Sequence, residues 1–144
     1  MDTQELYRRG IATRKEIFGA EAVEKRMGAL GEFGAPLQNM INAYAYGDIW
    51  SRPGLDRKTR SLIVIGMNAA INRAAEFKVH VNGALNNGCT AEQIREVCLL
   101  VALYAGIPAA NDAHRIALET LRERGMETLD SSGKSKPSKK RIRV

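Results

Sequence analysis

The chain has 144 residues, 44% of them apolar, enough for one domain that buries a core without disulfides or metal. Its formal net charge is +6, but Lys134, Lys136, Lys139, Lys140, Arg141 and Arg143 all follow Ser131 with no acid among them, leaving Met1 to Asp130 formally neutral. The positive charge therefore belongs to a tail, SSGKSKPSKKRIRV, whose composition predicts disorder, and gives the body no support for a nucleic-acid reading.

Cys89 and Cys98 form no CxxC pair and no His cluster accompanies them, so zinc and dithiol chemistry both lack ligands. No apolar run resembles a signal peptide or spans a bilayer, and a cytoplasmic protein is expected.

Asp2 can cap a first helix, with Glu5 reaching back, along which Leu6, Ile11, Ile17 and Phe18 follow a helical stripe to Gly19. A short polar helix over Ala20 to Met27 comes next, and Gly28, Gly31 and Gly34 break the chain after it. Pro36 suits a helical first turn, and Leu37, Met40, Ile41, Tyr44 and Ala45 recur at the spacing of one apolar helix face ending near Gly47. Gly47 to Leu55 reads as a loop holding Trp50, the only tryptophan, beside Arg52 and a Pro53-Gly54 turn. Asp56 can cap the next helix, whose first turns carry Arg57, Lys58 and Arg60 against the macrodipole, an arrangement that an anion would relieve. From Leu62 to Ile71 that helix is apolar on nearly every face, which predicts the buried centre of the domain.

The segment from Arg73 to Gly88 carries the chemistry. Phe77, Val81, Ala84 and Leu85, at offsets of four and three, predict a helix that puts Glu76 and His80 one turn apart on one face. A carboxylate beside an imidazole can fix its tautomer and raise its pKa, giving a proton carrier that works near neutral pH. The plainer reading, an ordinary surface pair worth roughly 0.2–0.5 kcal/mol, weighs more on spacing alone. The apolar helix next door shifts the balance, because a polar pair packed against it is partly desolvated. Thr90 and Gln93 then form a capping box for a helix through Ile94, Val97, Leu100, Val101 and Leu103. Gly106 with Pro108 ends it and starts a last helix through Ile116, Leu118 and Leu121. Tyr104 and His114 read as ordinary residues of amphipathic helices, outside any site. No alternating strand pattern occurs, and the expected class is all-α, built of successive helical hairpins.

Three segments in order, WSRPGLDRKTRSLIVIG (50–66), EFKVHVNGALNNG (76–88) and YAGIPAAN (104–111), closely resemble the carboxymuconolactone decarboxylase family within the alkylhydroperoxidase D-like superfamily. The resemblance runs from about Leu6 to Leu121 and sets residues 1–130 as the domain, with 131–144 as the basic tail. It implies an all-α fold of about six to seven helices with no sheet, assembled as a homo-oligomer, a trimer or hexamer. It also implies a cofactor-free, cytoplasmic carboxy-lyase that converts 4-carboxymuconolactone to 3-oxoadipate enol-lactone in protocatechuate catabolism, the beta-ketoadipate pathway. The substrate, a small dianionic lactone, is its own electron sink, which accounts for the absence of pyridoxal phosphate, thiamine or metal from the reaction.

On this resemblance His80, oriented by Glu76, stabilises the dienolate oxygen and returns a proton to carbon. Arg52, Arg57 and Arg60 grip carboxylate, Ser61 adds a substrate contact and Trp50 walls the pocket. For the arginines the plainer role is solvent exposure, and for Trp50 it is the core or an interface. The peroxidase branch of the superfamily places a CxxC pair four residues before its His. Those positions are Arg73 and Glu76 here, and the upstream Glu of the peroxidase relay falls on Ser61, so thiol redox chemistry is not implied. Leu100 departs from the decarboxylase pattern, which often has a polar residue, commonly His, in the helix before YAG. Two further readings stay open: the same pair acting on another lactone or enolisable acid, and a non-catalytic oligomeric binding protein whose basic tail touches nucleic acid.

Overall fold

The computed structural model describes residues 2–126, so the basic tail and the boundary expected at Asp130 lie outside the described residues. The elements run α1 (Thr3–Phe18), α2 (Ala20–Met40), a π-helical segment (Ile41–Tyr46), a 3-10 turn (Ile49–Ser51), α3 (Arg57–Ala70), α4 (Ala74–Asn86), α5 (Ala91–Ala105) and α6 (Ile107–Glu123). Six α-helices and no strand among the described residues make this the expected all-α class. The chain divides into two compact units, Met1–Arg60 and Ser61–Val144, with the boundary inside α3.

In the first unit Asp2 caps α1 by accepting from the Gln4 N–H at 3.0 Å. The buried stripe of α1, Leu6, Gly10, Thr13, Arg14 and Ile17, faces the π-helical segment. The two backbones meet so closely that a Cβ on Gly10 would lie 1.5 Å from the Asn42 carbonyl oxygen. Of the three glycines expected to break the chain, Gly31 alone leaves helical geometry, at φ 51° and ψ −151°. The predicted apolar face is largely uncovered: Leu37, Met40 and Tyr44 are exposed at 56%, 59% and 53%, while Ile41 and Ala45 are half-buried. Buried instead are Gln38 and Asn42, both accepting from Arg14 Nη1, at 2.8 and 3.0 Å. The reversal has a physical cause: polar groups that satisfy one another can be buried, and a periodicity count cannot see the partner.

Tyr46, in the same segment, stacks on Trp50 with centroids 5.7 Å apart and 25° between planes. It also meets Phe18 edge-on at 5.7 Å. The Arg14 guanidinium sits 5.7 Å over the Tyr46 ring.

The second unit holds a core in which Ile65, Phe77, Val81, Ile94 and Cys98 are 0–1% exposed. Each of the four large apolar side chains contributes about 1.5–3 kcal/mol through burial. Helix α3 is not the fully buried centre that its composition predicted. Its covered stripe is Ser61, Ile65 and Ala69, while Ile63, Met67 and Ile71 are 41%, 61% and 63% exposed. Apolar composition on every face states what a helix tolerates, and the neighbours present decide what is covered. Gly66 allows Val97 of α5 to approach, with its Cγ1 3.3 Å from where a Cβ would stand. The chain turns into α4 through Asn72, at φ 58°, as the Arg73 N–H donates to the Asn68 carbonyl at 2.8 Å. The Thr90 and Gln93 capping box forms as expected, with bonds of 3.1 and 2.9 Å. Gly106, at φ 103°, separates α5 from α6.

Candidate active site

Helix α4 carries Glu76 in its first turn and His80 one turn later. His80 is 9% exposed, between Phe77 and Val81 at 1% and 0%, and its Nδ1 atom is closed off from solvent. Glu76 is half-buried. The structure therefore places the imidazole in a desolvated setting with a partly exposed carboxylate on the same helix face. A donor in such a setting acts on a developing oxyanion more strongly than it would in water. His114 differs: it is exposed on α6, and its Nδ1 donates to the Ala110 carbonyl at 2.7 Å.

Ser61 is fully buried on α3, where its hydroxyl accepts from Asn87 Nδ2 at 3.0 Å. Asn87, at the C-terminal end of α4, was not singled out in the sequence; its place seven residues after His80, close to the same face, is the signal that could have found it.

Within the first unit each candidate cation has a partner. Arg52 donates from Nε and Nη2 to Asp48 at 3.0 and 3.5 Å, and this carboxylate raises its pKa further. Arg57 Nη1 meets Glu16 Oε2 at 2.6 Å. Arg60 spends Nε and Nη2 on the Leu55 and Arg52 carbonyls at 3.2 and 2.8 Å, tying the Pro53-Gly54 turn to the start of α3. Each guanidinium keeps further donors, and Arg57 keeps the most. Asp56 caps α3, accepting from the Thr59 N–H at 2.7 Å, and that bond holds its carboxyl below the usual aspartate pKa. Trp50 is 9% exposed and stacked on Tyr46, so little of its surface is open to a ligand.

An open groove of about 470 Å³ in the first unit is lined by Thr3, Tyr7, Arg8 and Asn39, among others, none of them candidate residues. In the second unit a crevice of about 40 Å³ lies between Asn68, Asn72, Arg73, Phe77 and Asp112. Among the described residues no cluster of three His, Cys, Asp or Glu side chains could hold a metal. Cys98 is 1% exposed and burial pushes its thiol up to about 11, which suits a structural role. Among the described residues no helix is long and apolar enough to cross a membrane.

An all-α chain with an acid and an imidazole on one desolvated helix face, and no dithiol beside them, belongs to a recognisable class. Residues 35–119 match the sequence model of the carboxymuconolactone decarboxylase family, and the chain belongs to that family and with it to the carboxy-lyases. It is 37% identical over 126 residues to 4-carboxymuconolactone decarboxylase of Acinetobacter baylyi, covering 88% of this chain and 94% of the relative. It is 39% identical over 123 residues to the nitrosuccinic acid decarboxylase npaB of Metarhizium robertsii, covering 83% and 86%. An uncharacterised 15.0 kDa protein of Paracoccus denitrificans is 33% identical over 84 residues, 57% of this chain and 63% of that one.

Proposed function

We propose that the chain decarboxylates 4-carboxymuconolactone without a cofactor, giving 3-oxoadipate enol-lactone in the cytoplasmic breakdown of protocatechuate. The observation that carries this reading is the buried His80, one turn after Glu76 inside the segment that matches the family. The bond from the γ carbon to its carboxylate breaks, carbon dioxide leaves, and the electron pair moves through the double bond into the lactone carbonyl. His80 donates to the oxygen where that charge collects, and Glu76 sets the ring's orientation. A proton then adds to carbon, from His80 or from a water held by Glu76, and gives the enol-lactone. Arg52, Arg57 and Arg60 are the cations proposed for the substrate carboxylates; their uncommitted donors support this for Arg57 most.

A second reading has its own support. The relative named for nitrosuccinic acid is as similar as the one named for the lactone. In nitrosuccinic acid the nitro group can accept the electron pair as the lactone carbonyl does. Both substrates are dianions that supply their own sink, and Leu100 is the departure that first raised a different substrate. Leu100 is 57% exposed on α5, so a polar residue at that position would have its group at the surface of this chain.

The test offers wild type both substrates, the lactone generated in situ by the preceding cycloisomerase, beside His80→Ala. Turnover of the lactone that falls about a hundredfold or more in His80→Ala supports the first reading. Turnover of nitrosuccinate alone selects the second, and equal rates in wild type and variant remove His80 from the chemistry.

Assembly belongs to the same proposal: a homo-oligomer, trimer or hexamer, supported by the exposure of Leu99, Leu103, Tyr104 and Ile107 at 49%, 72%, 84% and 61%.

A further inference from the structure

The geometry points to Ser61 and Asn87 as a positioning pair that sets where His80 stands, an inference that rests on the decarboxylase role of His80. Ser61 is 0% exposed, and its hydroxyl accepts from Asn87 Nδ2 at 3.0 Å. A hydroxyl buried that completely is retained against a desolvation cost, which its partner must offset. The partner is the residue that ends α4, where its own N–H donates to the Gly83 carbonyl at 2.9 Å. Asn87 is two turns from His80 and close to the same helix face, so the bond fixes the rotation of the face that carries the imidazole.

The opposite side of α4 is held differently. Arg124 donates to Asn82 and Asn86 at 3.4 and 2.9 Å, and Lys78 pairs with Glu123 at 2.8 Å. Those ties to the end of α6 are exposed and screened, and they yield easily. Opening the tie to α3 takes from the buried Ser61 hydroxyl the donor it accepts from, where no water replaces it. That tie is therefore the stiffer restraint on the helix, and a catalytic donor is sensitive to displacements on the order of 1 Å. In this arrangement Ser61 acts through α4 and not by touching substrate.

The test compares Ser61→Ala, Asn87→Ala and the double variant, well below their melting temperatures. With the lactone as probe, each single variant lowers kcat about tenfold and leaves KM within about twofold. The double variant is no slower than either single one, because both remove one bond. A rise in KM confined to Ser61→Ala assigns Ser61 to the substrate and overturns the pair, as do losses in kcat that add. Asn87 is half-buried at a helix end, so its truncation keeps the chain folded if that of Ser61 does not.

A second readout needs no substrate. The chain has two histidines, so proton NMR at a pH where both rings are neutral gives two Cε1–H signals. Both variants move the His80 signal and leave that of His114 in place. A lowered melting temperature with both signals unmoved makes the pair merely structural and overturns the inference. If both variants move the His80 signal while the wild type ignores the lactone, the substrate is removed and the pair is kept.

Discussion

At the level of single residues the carboxylates beside the arginines matter as much as the arginines. Glu16 occupies Arg57 at 2.6 Å with both side chains open to solvent, and an exposed pair of this kind is held weakly. If Arg57 grips the substrate as proposed, the substrate carboxylate takes the place of Glu16. We expect Arg57→Ala to raise KM about tenfold with kcat little changed, and Glu16→Gln to lower KM modestly by removing the competitor; steady-state kinetics decide, and unaltered KM in both variants takes Arg57 out of substrate binding. That Glu76 and His80 stand one turn apart on one face of α4 was legible in the sequence because a helix repeats every 3.6 residues and an interval of four fixes a shared face. Arg52 and Asp48 follow the same interval and could have been paired in advance. Arg57 and Glu16 lie 41 residues apart, and no local pattern reports a contact made only by folding.

Elements were legible in proportion to how local their determinants are. The caps at Asp2, Asp56 and Thr90 and the stop at Gly106 depend on side chains within a few residues, and they form as the sequence predicts. The orientation of the helix through Leu37 and Tyr44 depends on Arg14, a turn and a helix away, and it came out reversed. The same packing makes Gly10 a sharp test. A methyl group there collides with the Asn42 backbone, which has no rotamer with which to yield. Gly10→Ala should therefore destabilise the first unit by about 3 kcal/mol or more, although alanine favours helix, and chemical denaturation would measure it. A neutral or stabilising effect would mean that α1 does not lie against the π-helical segment.

At the level of the molecule, the apolar side chains that composition assigned to a core are divided between a core and a surface. Ile65 and Val81 are fully covered while Met67, Leu103 and Tyr104 are mostly exposed. Hydropathy records that a residue avoids water and not whether its own chain or another supplies the cover, so this division was not readable from sequence. If copies of the chain supply it, sedimentation should give a trimer or hexamer for wild type, and Leu103→Asp should shift it toward smaller species. A wild-type monomer at all concentrations would end the oligomer proposal.

The bond between Asn87 and Ser61 also bears on how the protein ages. In an Asn-Gly step the glycine nitrogen can attack the side-chain amide carbon, expel ammonia and close a ring that water reopens to aspartate or isoaspartate. In the folded chain the Gly88 N–H is committed to the Leu85 carbonyl at 3.1 Å and the Asn87 amide to Ser61 at 3.0 Å, so neither reactant is free to approach the other. Wild type stored for weeks at mildly alkaline pH should keep Asn87 intact, and Ser61→Ala should lose it to isoaspartate. Peptide mapping would show whether the fold that sets the imidazole also protects this step from chemical decay.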